Sequence, residues 1–296
     1  KGILKQRMDA KKNNSRILWG GMFNYGKYGP ESPFTDIVSE DELINTEPES
    51  LTAMLKDFCT FEHKIFYYGQ KSSQEVEKII GMHHKLPEIL TPCTEPQKYE
   101  ELAAKSNKVY FTDYDMTQAN ILFLARGQEF DKKLIPPARL FGEYFGGGLS
   151  SIVFQEIRES RALAYSAFAS YSIAGKPERH NFTYAFVGTQ ADKLKTATDA
   201  MLELMNEMPQ AQKQFDLAKE SIIKNINTER IIKENIFWTY LGNMDKGIDY
   251  DIRKEVYEKV DAMSMDDLNA FFNEHIKGKK YTFMVLGSKE NVDMKV

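Results

Sequence analysis

Five histidines and two cysteines are the residues of this sequence that could bind a transition metal. They are His63, His83, His84, His180 and His275, with Cys59 and Cys93. The sequence contains no H-E-x-x-H, H-x-x-E-H or C-x-x-C motif, the spacings at which zinc enzymes and zinc modules place their ligands. His83 and His84 are adjacent, and adjacent residues of a helix point about 100° apart, which favours a surface pair over a chelating pair. The sequence therefore predicts no metal site in this chain.

A triple glycine, Gly146 to Gly148, is the most distinctive stretch of the sequence. Glycine permits positive φ angles and close approach of another backbone, and Ser150 or Ser151 can cap the helix that follows. A phosphate-binding loop would need Gly-Lys-Ser/Thr after a strand, and neither feature is present. We interpret the segment as a hinge loop whose backbone N–H groups are open to a peptide. Gly146, Gly147, Gly148 and Ser150 are the candidate substrate-binding residues.

Arg158 and Tyr165 lie just beyond the glycines, at the end of a predicted helix and at the start of a predicted strand. A charged helix end is usually only a solvated face, and a tyrosine that opens a strand is usually only a sheet residue. The two residues nevertheless flank one turn beside the glycine segment. That arrangement can bring a guanidinium group and a phenol to the mouth of one site.

An internal repeat indicates the architecture that must position these residues. The segment Ile17-Leu18-Trp19 resembles Ile236-Phe237-Trp238 at an offset of 219, which pairs the only two tryptophans of the chain. Residues 51–53 resemble 268–270 at an offset of 217, and residues 65–69 resemble 283–287 at an offset of 218. Offsets that drift only across loops are typical of a duplicated unit. The alternative is two unrelated stretches of helix and strand.

Both copies are predicted to contain a long amphipathic helix, a loop, a capped helix and a strand that ends at glycine. The capping motifs are Ser39-x-x-Glu42, Thr46-x-x-Glu49 and Ser264-x-x-Asp267, and the strands are at 64–68 and 281–286. Residues 1–69 are therefore interpreted as the C-terminal part of a first, truncated α+β unit. Residues 70–106 form a linker with a helix opened by Ser72-x-x-Glu75, and residues 107–296 form a complete second unit.

Within the second unit, a hairpin is predicted for residues 109–111 and 119–125, and a second strand pair for 164–173 and 181–188. Helices are predicted at about 136–145, 151–161, 190–207 and 211–243. Strand pairs separated by helix pairs predict an α+β fold of repeated units, each a mainly antiparallel sheet with helices packed on one face. Truncation of the first unit would leave Ile17, Leu18 and Trp19 short of partners. The second unit, or a neighbouring molecule such as the other chain of a homodimer, must cover them.

Residues 145–151, Phe-Gly-Gly-Gly-Leu-Ser-Ser, continue through 154–166, Phe-Gln-Glu-Ile-Arg-Glu-Ser-Arg-Ala-Leu-Ala-Tyr-Ser. This stretch resembles the second-half signature of the pitrilysin/insulysin family of zinc metallopeptidases, whose members are built from repeated α+β units of about this size. The zinc site of that family, an inverted H-x-x-E-H motif plus a distant Glu, belongs to an N-terminal unit, and no position here matches it. The resemblance implies zinc in a parent enzyme and none bound by this chain.

An arginine and a tyrosine seven residues apart do carry over, onto Arg158 and Tyr165. The resemblance implies that an N-terminal zinc-binding half closes with this half around a peptide substrate. Tyr165 would donate to the oxyanion that forms as zinc-bound water attacks a carbonyl, and Arg158 would hold the substrate backbone. The implied function is the substrate-binding C-terminal half of a zinc-dependent peptidase, inactive alone. The alternatives are a catalytically inert structural or partner-binding module of the same fold and an unrelated peptide-binding protein.

Composition limits the remaining partners. The net charge is −4, and its 39 basic and 43 acidic residues are spread along the chain, which argues against a nucleic-acid surface. No apolar run approaches the roughly 20 residues of a membrane span, and no signal peptide is visible. The chain begins at Lys1 inside a predicted helix, so we expect an N-terminal part to be missing. For a soluble protein of this kind, cytoplasmic and exported locations both stay open.

Overall fold

The structure is a computed structural model that describes residues 1–229 and 232–292, and its contacts divide the chain into two units. The first unit comprises residues 1–14 and 36–99, and the second comprises residues 15–35 and those from 100 onward. The limits predicted from the repeat follow sequence similarity, whereas this division follows spatial contact. The predicted limits therefore stay a prediction.

The α-helices among the described residues are short to medium in length. They are α1 (Gly2–Ala10), α2 (Ser15–Tyr28), α3 (Glu40–Asn45), α4 (Pro48–Asp57), α5 (Ser73–His83), α6 (Ile135–Phe141), α7 (Leu194–Asn206), α8 (Gln212–Thr228), α9 (Lys233–Met244), α10 (Arg253–Ala262) and α11 (Met265–His275). The helix predicted over 211–243 is thus two helices, and residues 230 and 231 between them lie outside the described part.

Three of the predicted helix starts are confirmed as capping boxes. Ser39, Ser72 and Ser264 each accept a hydrogen bond from the backbone N–H three residues on, and the acidic side chain there accepts one in return. The prediction for Thr46 is wrong, because α4 begins at Pro48 after Glu47 and has no side-chain cap. Proline at the first helical position supplies the helical φ without a capping side chain.

The strand predicted at 64–68 is not formed. Residues 62–68 belong to no regular element, and Ile65, Phe66, Tyr67 and Tyr68 are each about half exposed. A strand needs a neighbouring strand to pair its backbone groups. Within the described residues of the first unit, only an isolated bridge between Phe61 and Thr91 offers such pairing. The apolar pattern of 64–68 is that of a strand, but no strand among the described residues pairs with it.

A five-stranded mixed sheet forms the centre of the second unit, in the order β1-β5-β2-β4-β3. The strands are β1 (Lys108–Asp113), β2 (Gln118–Glu129), β3 (Ser166–Ser172), β4 (His180–Gln190) and β5 (Thr282–Gly287). Only β1 and β5 pair in parallel, and the other three pairs are antiparallel. The predicted α+β class with a mainly antiparallel sheet is confirmed, as is the predicted pair that became β3 and β4.

The predicted hairpin between β1 and β2 is wrong, because β5 lies between them. All six residues of β5 are buried, whereas four of the six residues of β1 are exposed. A strand that is apolar on both faces gains most from a central position, and a strand with exposed side chains suits the edge. Burial therefore outweighs proximity along the chain.

Strand β2 alternates between two apolar layers. Ile121, Phe123 and Ala125 face the main core, which is built with α6, α7, α8, α10 and α11. Leu122 and Leu124 face the opposite side, where Trp19, Met22 and Phe23 of α2 pack. The helices predicted on one face of the sheet are present, and α2 covers part of the other face. For Trp19, the expected cover is thus supplied by the second unit.

Two π-helices follow α6, at Gly142–Gly147 and Phe154–Ser160. The helix predicted at 136–145 consists of α6 and the start of the first π-helix, and the second π-helix lies within the helix predicted at 151–161. π-helices are rare and frequently occur at functional sites. Here they flank residues 148–153, which belong to the first half of the signature identified in the sequence.

Candidate functional site

The first π-helix (Gly142–Gly147) packs against the edge strand β3 through Gly146. This glycine is buried, and a Cβ atom there would overlap the backbone nitrogen and oxygen of Ala169. Tyr144 of the same π-helix donates its hydroxyl to the Pro209 carbonyl at 2.6 Å and accepts from the Ala211 N–H at 3.0 Å. The glycine is required here because two backbones approach closely.

The interpretation of the glycines as an open hinge loop is therefore wrong for two of them. Gly146 and Gly147 are helical, and only Gly148 has extended backbone, with φ −125° and ψ 171°. Gly146 and Gly147 line a depression of about 630 Å³ along β3. Of the two serines considered as caps, Ser151 is the one that accepts a hydrogen bond, from the Phe154 N–H at 3.4 Å, whereas Ser150 is exposed.

The turn from the second π-helix (Phe154–Ser160) to β3 contains a strained residue. Ala162 has φ 47°, a positive value that no other non-glycine residue of the described chain adopts, and that conformation costs about 1–2 kcal/mol. Arg161 holds the turn by donating two hydrogen bonds to Glu203 on α7, at 2.9 and 3.1 Å. This contact also lowers the pKa of the Glu203 carboxyl. The turn fixes the spacing between Arg158 and Tyr165.

Tyr165 is held at both ends. Its backbone N–H donates to the Gly188 carbonyl at 3.1 Å, and its hydroxyl donates to Asn120 Oδ1 at 2.8 Å. The residue is 45% exposed, and partial burial raises the pKa of its phenol. Because an ordinary tyrosine already titrates near pH 10, this phenol stays protonated at neutral pH and remains a hydrogen-bond donor.

Gly188 makes room for the ring of Tyr165. A Cβ atom at Gly188 would lie 2.7 Å from the Cζ and hydroxyl oxygen of Tyr165 and 3.0 Å from Asn120 Oδ1. Gly188 of β4 pairs with Asn120 of β2 on one side and with Ser166 of β3 on the other. Asn120 shares its sheet face with Leu122, since side chains alternate along a strand. Tyr165 therefore lies on the face where α2 packs, opposite the main helical layer.

Arg158 lies on the second π-helix with its side chain 46% exposed. Its guanidinium carbon is 4.8 Å from the centre of the Phe154 ring, and its Nε is 3.6 Å from Glu159 Oε1. An exposed ion pair of this kind contributes little to stability. The guanidinium group is therefore held loosely, and its N–H donors, which lie in the plane of the group, can turn toward a ligand.

Arg158 and Tyr165 line one open cleft of about 430 Å³, together with Gln118, Gln190 and Lys193. Lys193 Nζ donates to the Ala162 carbonyl at 3.4 Å, at the strained turn. The cleft also contains the Glu159 carboxylate, which is paired with Arg158. Two cationic groups against one carboxylate, with a phenolic donor, still suit carbonyl oxygens. Gly146 and Gly147 line a different depression, and neither they nor Gly148 and Ser150 line this cleft with Arg158 and Tyr165.

Sequence reasoning missed Asn120, Gly188 and Lys193. None of them belongs to a local motif. Asn120 and Gly188 contact Tyr165 because β2 and β4 pair in one register, and Lys193 lines the cleft because the segment after β4 lies beside it. The signal that could have found Gly188 is a glycine inside a predicted strand, which often marks close approach of another group.

The histidines do not assemble into a metal centre. Among residues 1–229 and 232–292, no group of three or more His, Cys, Asp or Glu side chains is placed to hold an ion. His84 pairs with His63, whose Nε2 lies 2.7 Å from that of His84, and both residues are solvent-facing. The described residues therefore do not fit a zinc site. In the same residues, no helix has the length and apolar character needed to cross a membrane.

Known proteins resemble this chain in sequence and in fold. A family model described as the peptidase M16 inactive domain matches residues 63–222, more than half of the chain. A curated relative, the uncharacterized zinc protease YmxG of Bacillus subtilis (strain 168), is 22% identical over 205 residues. That match covers 67% of this chain and 47% of the relative, so the chain spans about half the length of that protein.

Two solved structures have the same fold at low sequence identity. A peptidase M16 inactive domain from Pseudomonas fluorescens matches with a TM-score of 0.71 and 17% identity, over 99% of this chain and 71% of that one. A protease from Helicobacter pylori matches with a TM-score of 0.68 and 17% identity, over 96% of this chain and 71% of that one. The segment matched by the family model contains the whole signature that carries Arg158 and Tyr165. The resemblance seen in the sequence is thereby confirmed, and this chain belongs to the M16 peptidase family, of which it carries the inactive domain.

Proposed function

We propose that this chain is the substrate-binding C-terminal half of a zinc-dependent peptidase and contributes Arg158 and Tyr165 to a peptide substrate. The observation that carries the proposal is the shared cleft, in which both side chains face solvent beside a strained turn. Backbone strain persists where the surroundings enforce it, often at functional sites. In this proposal the zinc belongs to an N-terminal half, since the described residues do not fit it.

Each side chain has a separate chemical role in this proposal. When a peptide carbonyl is attacked, negative charge appears on its oxygen, and a donor already aimed there lowers the barrier. Tyr165 is suited to this role because its phenol stays protonated at neutral pH. Arg158 binds the peptide backbone beyond the bond that is cleaved, where the planar guanidinium can donate twice. Gly146, Gly147, Gly148 and Ser150 remain candidate contacts for a more distant part of the peptide.

The domain layout of residues 1–69, 70–106 and 107–296 is part of the proposal. The order of helices supports it, because α1 to α4 correspond in sequence to α8 to α11. The two tryptophans that the repeat aligns lie in the corresponding helices α2 and α9, but in different surroundings. Trp19 packs on the sheet of the second unit, whereas Trp238 in α9 is 68% exposed.

This difference suggests what the zinc-binding half supplies. Ile232, Ile236 and Tyr240 are exposed together with Trp238, so α9 presents apolar side chains without the cover that α2 has. If the two halves are repeats, the sheet of the zinc-binding half covers α9 as the present sheet covers α2. Residues 64–68 would then complete that sheet as a strand, at the position that β5 occupies here.

Metal content and activity test the proposal together. We expect the full-length parent to retain one zinc per chain after dialysis, and to hydrolyse peptides until a chelator removes the metal. The present chain, prepared alone, should retain no stoichiometric zinc and show no peptidase activity. Elemental analysis of both proteins provides the measurement. One zinc per present chain that is lost on His84→Ala would contradict the assignment, and a folded, metal-free and inactive parent would favour the inert module.

A further inference from the structure

We propose that Asn120 is the positioning residue for Tyr165, fixing the direction of its phenolic hydroxyl in the cleft. The inference rests on the proposed function, because it assigns how Tyr165 is prepared for a substrate carbonyl. It concerns a residue 45 positions away in the sequence, on a strand outside the family signature. Asn120 acts through Tyr165 rather than on the substrate.

The hydroxyl of Tyr165 has a defined partner while its ring is nearly half exposed. A phenolic O–H rotates freely unless an acceptor holds it, and Asn120 Oδ1 accepts it at 2.8 Å. Its backbone is anchored at the other end by the hydrogen bond to the Gly188 carbonyl. The ring is therefore supported between two strands, with its polar end set by one side chain.

The support for Asn120 is rigid. This residue lies in the interior of β2 and is paired on one side with Gly188 of β4 and on the other with Leu286 of β5. Both neighbouring strands hold its backbone, so the position of Oδ1 is set by sheet register rather than by a loop. Sites built on strands hold their geometry more closely than sites built on loops. The ring of Tyr165 lies over Gly188, where the absence of a side chain leaves space for the phenol and for the Asn120 amide.

A neutral amide is the suitable acceptor at this position. A carboxylate would accept the same hydrogen bond, but its charge would oppose negative charge developing on a nearby carbonyl oxygen. An apolar side chain would accept no hydrogen bond, so the hydroxyl of Tyr165 could rotate freely. Charged acceptors form stronger hydrogen bonds than neutral ones. The hydroxyl can therefore leave Asn120 Oδ1 for a developing oxyanion, and Asn120 holds it in place until then.

Kinetics of the full-length parent test this role by a double-mutant cycle. We expect Asn120→Ala to lower kcat about tenfold with little change in KM, the effect of losing one neutral hydrogen bond that orients the donor. In the Tyr165→Phe background, Asn120→Ala should cause no further loss, because the hydroxyl it orients is absent. Asn120→Ser supplies the same comparison with a smaller change of polarity if Asn120→Ala lowers Tm. Asn269→Ala, on α11 and bonded to Gln210, is the control and should keep wild-type kinetics.

The outcomes separate this inference from the proposed function. Equal losses of kcat from Asn120→Ala and Asn120→Ser in both backgrounds would show a merely structural role and overturn the positioning inference. Wild-type kcat in both single variants, with an impaired Tyr165→Phe, would overturn it as well. A wild-type kcat in Tyr165→Phe itself would instead defeat the proposed function on which the inference rests.

Discussion

The indole of Trp19 packs edge-on against the ring of Phe186, with centroids 5.5 Å apart and planes at 79°. This contact attaches α2 to the sheet face that carries Asn120 and Gly188. Trp238, which the sequence comparison aligns with Trp19, is 68% exposed on α9. Of these two tryptophans, Trp19 is partly buried against the sheet and Trp238 lies at the surface.

Truncating each tryptophan should have very different effects in the present chain. Burial of Trp19 is partial, so we expect Trp19→Ala to lower the free energy of unfolding by about 2 kcal/mol, below the 3–5 kcal/mol of a fully buried aromatic ring. Trp238→Ala should change it by less than about 0.5 kcal/mol, as at most surface positions. Urea denaturation followed by circular dichroism measures both. Equal losses would mean that α2 is not anchored through Trp19.

Glu101 provides a second prediction, because its carboxylate is only 3% exposed and depends on its partners. Lys27 Nζ lies 3.1 Å from Oε1, and the backbone N–H of His180 donates to Oε2 at 2.7 Å. Lys27→Met keeps most of the aliphatic stem and removes the nearest cation of this buried carboxylate, while Arg179 stays 3.9 Å from Oε1 and His180 still donates to Oε2. The loss of stability should therefore be smaller than that of a wholly unpaired buried charge, which is about 3–5 kcal/mol. The double variant Lys27→Met with Glu101→Gln removes both charges and should recover much of that loss. No recovery would show that packing of Lys27, rather than its charge, is responsible.

The same carboxylate predicts a pH dependence of stability. Burial by itself raises the pKa of Glu101, but the hydrogen bonds from His180 and the ion pair with Lys27 lower it overall. A folded-state pKa below the unfolded value of about 4.3 contributes stability above that pH, and the contribution is lost as the pH falls through the folded pKa. Glu101→Gln should therefore unfold with a shallower loss of stability below about pH 4.3 than the wild type. Parallel acid-unfolding curves for the two proteins would contradict this.

Local signals in the sequence predicted local structure well. The capping boxes at Ser39, Ser72 and Ser264 and the antiparallel pair of β3 and β4 depend on nearby residues. The position of β5 between β1 and β2 could not be predicted in this way, because β5 is near the end of the sequence and both of its partners are more than 150 residues earlier. The strand predicted at 64–68 failed for the same reason, since strand formation depends on a neighbour rather than on its own residues.

In the candidate site, too, some residues could be predicted from nearby sequence and others depend on distant strand pairing. Arg158 and Tyr165 belong to one contiguous signature, which is why the sequence alone singled them out. Asn120 and Gly188 reach Tyr165 only through pairing of β2 with β4, which no local pattern encodes. The triple glycine was misread as a loop because glycine serves equally for positive φ and for close packing. At Gly146 the reason is close packing, because a Cβ atom there would overlap the backbone of Ala169.

Arg158 should affect substrate binding more than turnover in the full-length parent. A guanidinium group that holds peptide carbonyls stabilises the ground state and the transition state alike, so Arg158→Ala should raise KM more than it lowers kcat. Arg158→Lys should rescue poorly, because an ammonium group lacks the planar fork. Steady-state kinetics on one peptide at several concentrations give both constants. A variant with unchanged KM and a much lower kcat would place Arg158 in transition-state stabilisation instead.

The central claim is that Tyr165 supplies a hydrogen-bond donor to the oxyanion in the parent enzyme. Tyr165→Phe removes one hydroxyl and keeps the ring over Gly188, so Tm should stay close to that of the wild type. The most direct measurement is kcat of the purified full-length Tyr165→Phe variant on a peptide substrate. We expect kcat to fall by about 10²–10³-fold, the usual effect of removing one such donor. A wild-type kcat would contradict the account and leave Tyr165 as a residue of the sheet.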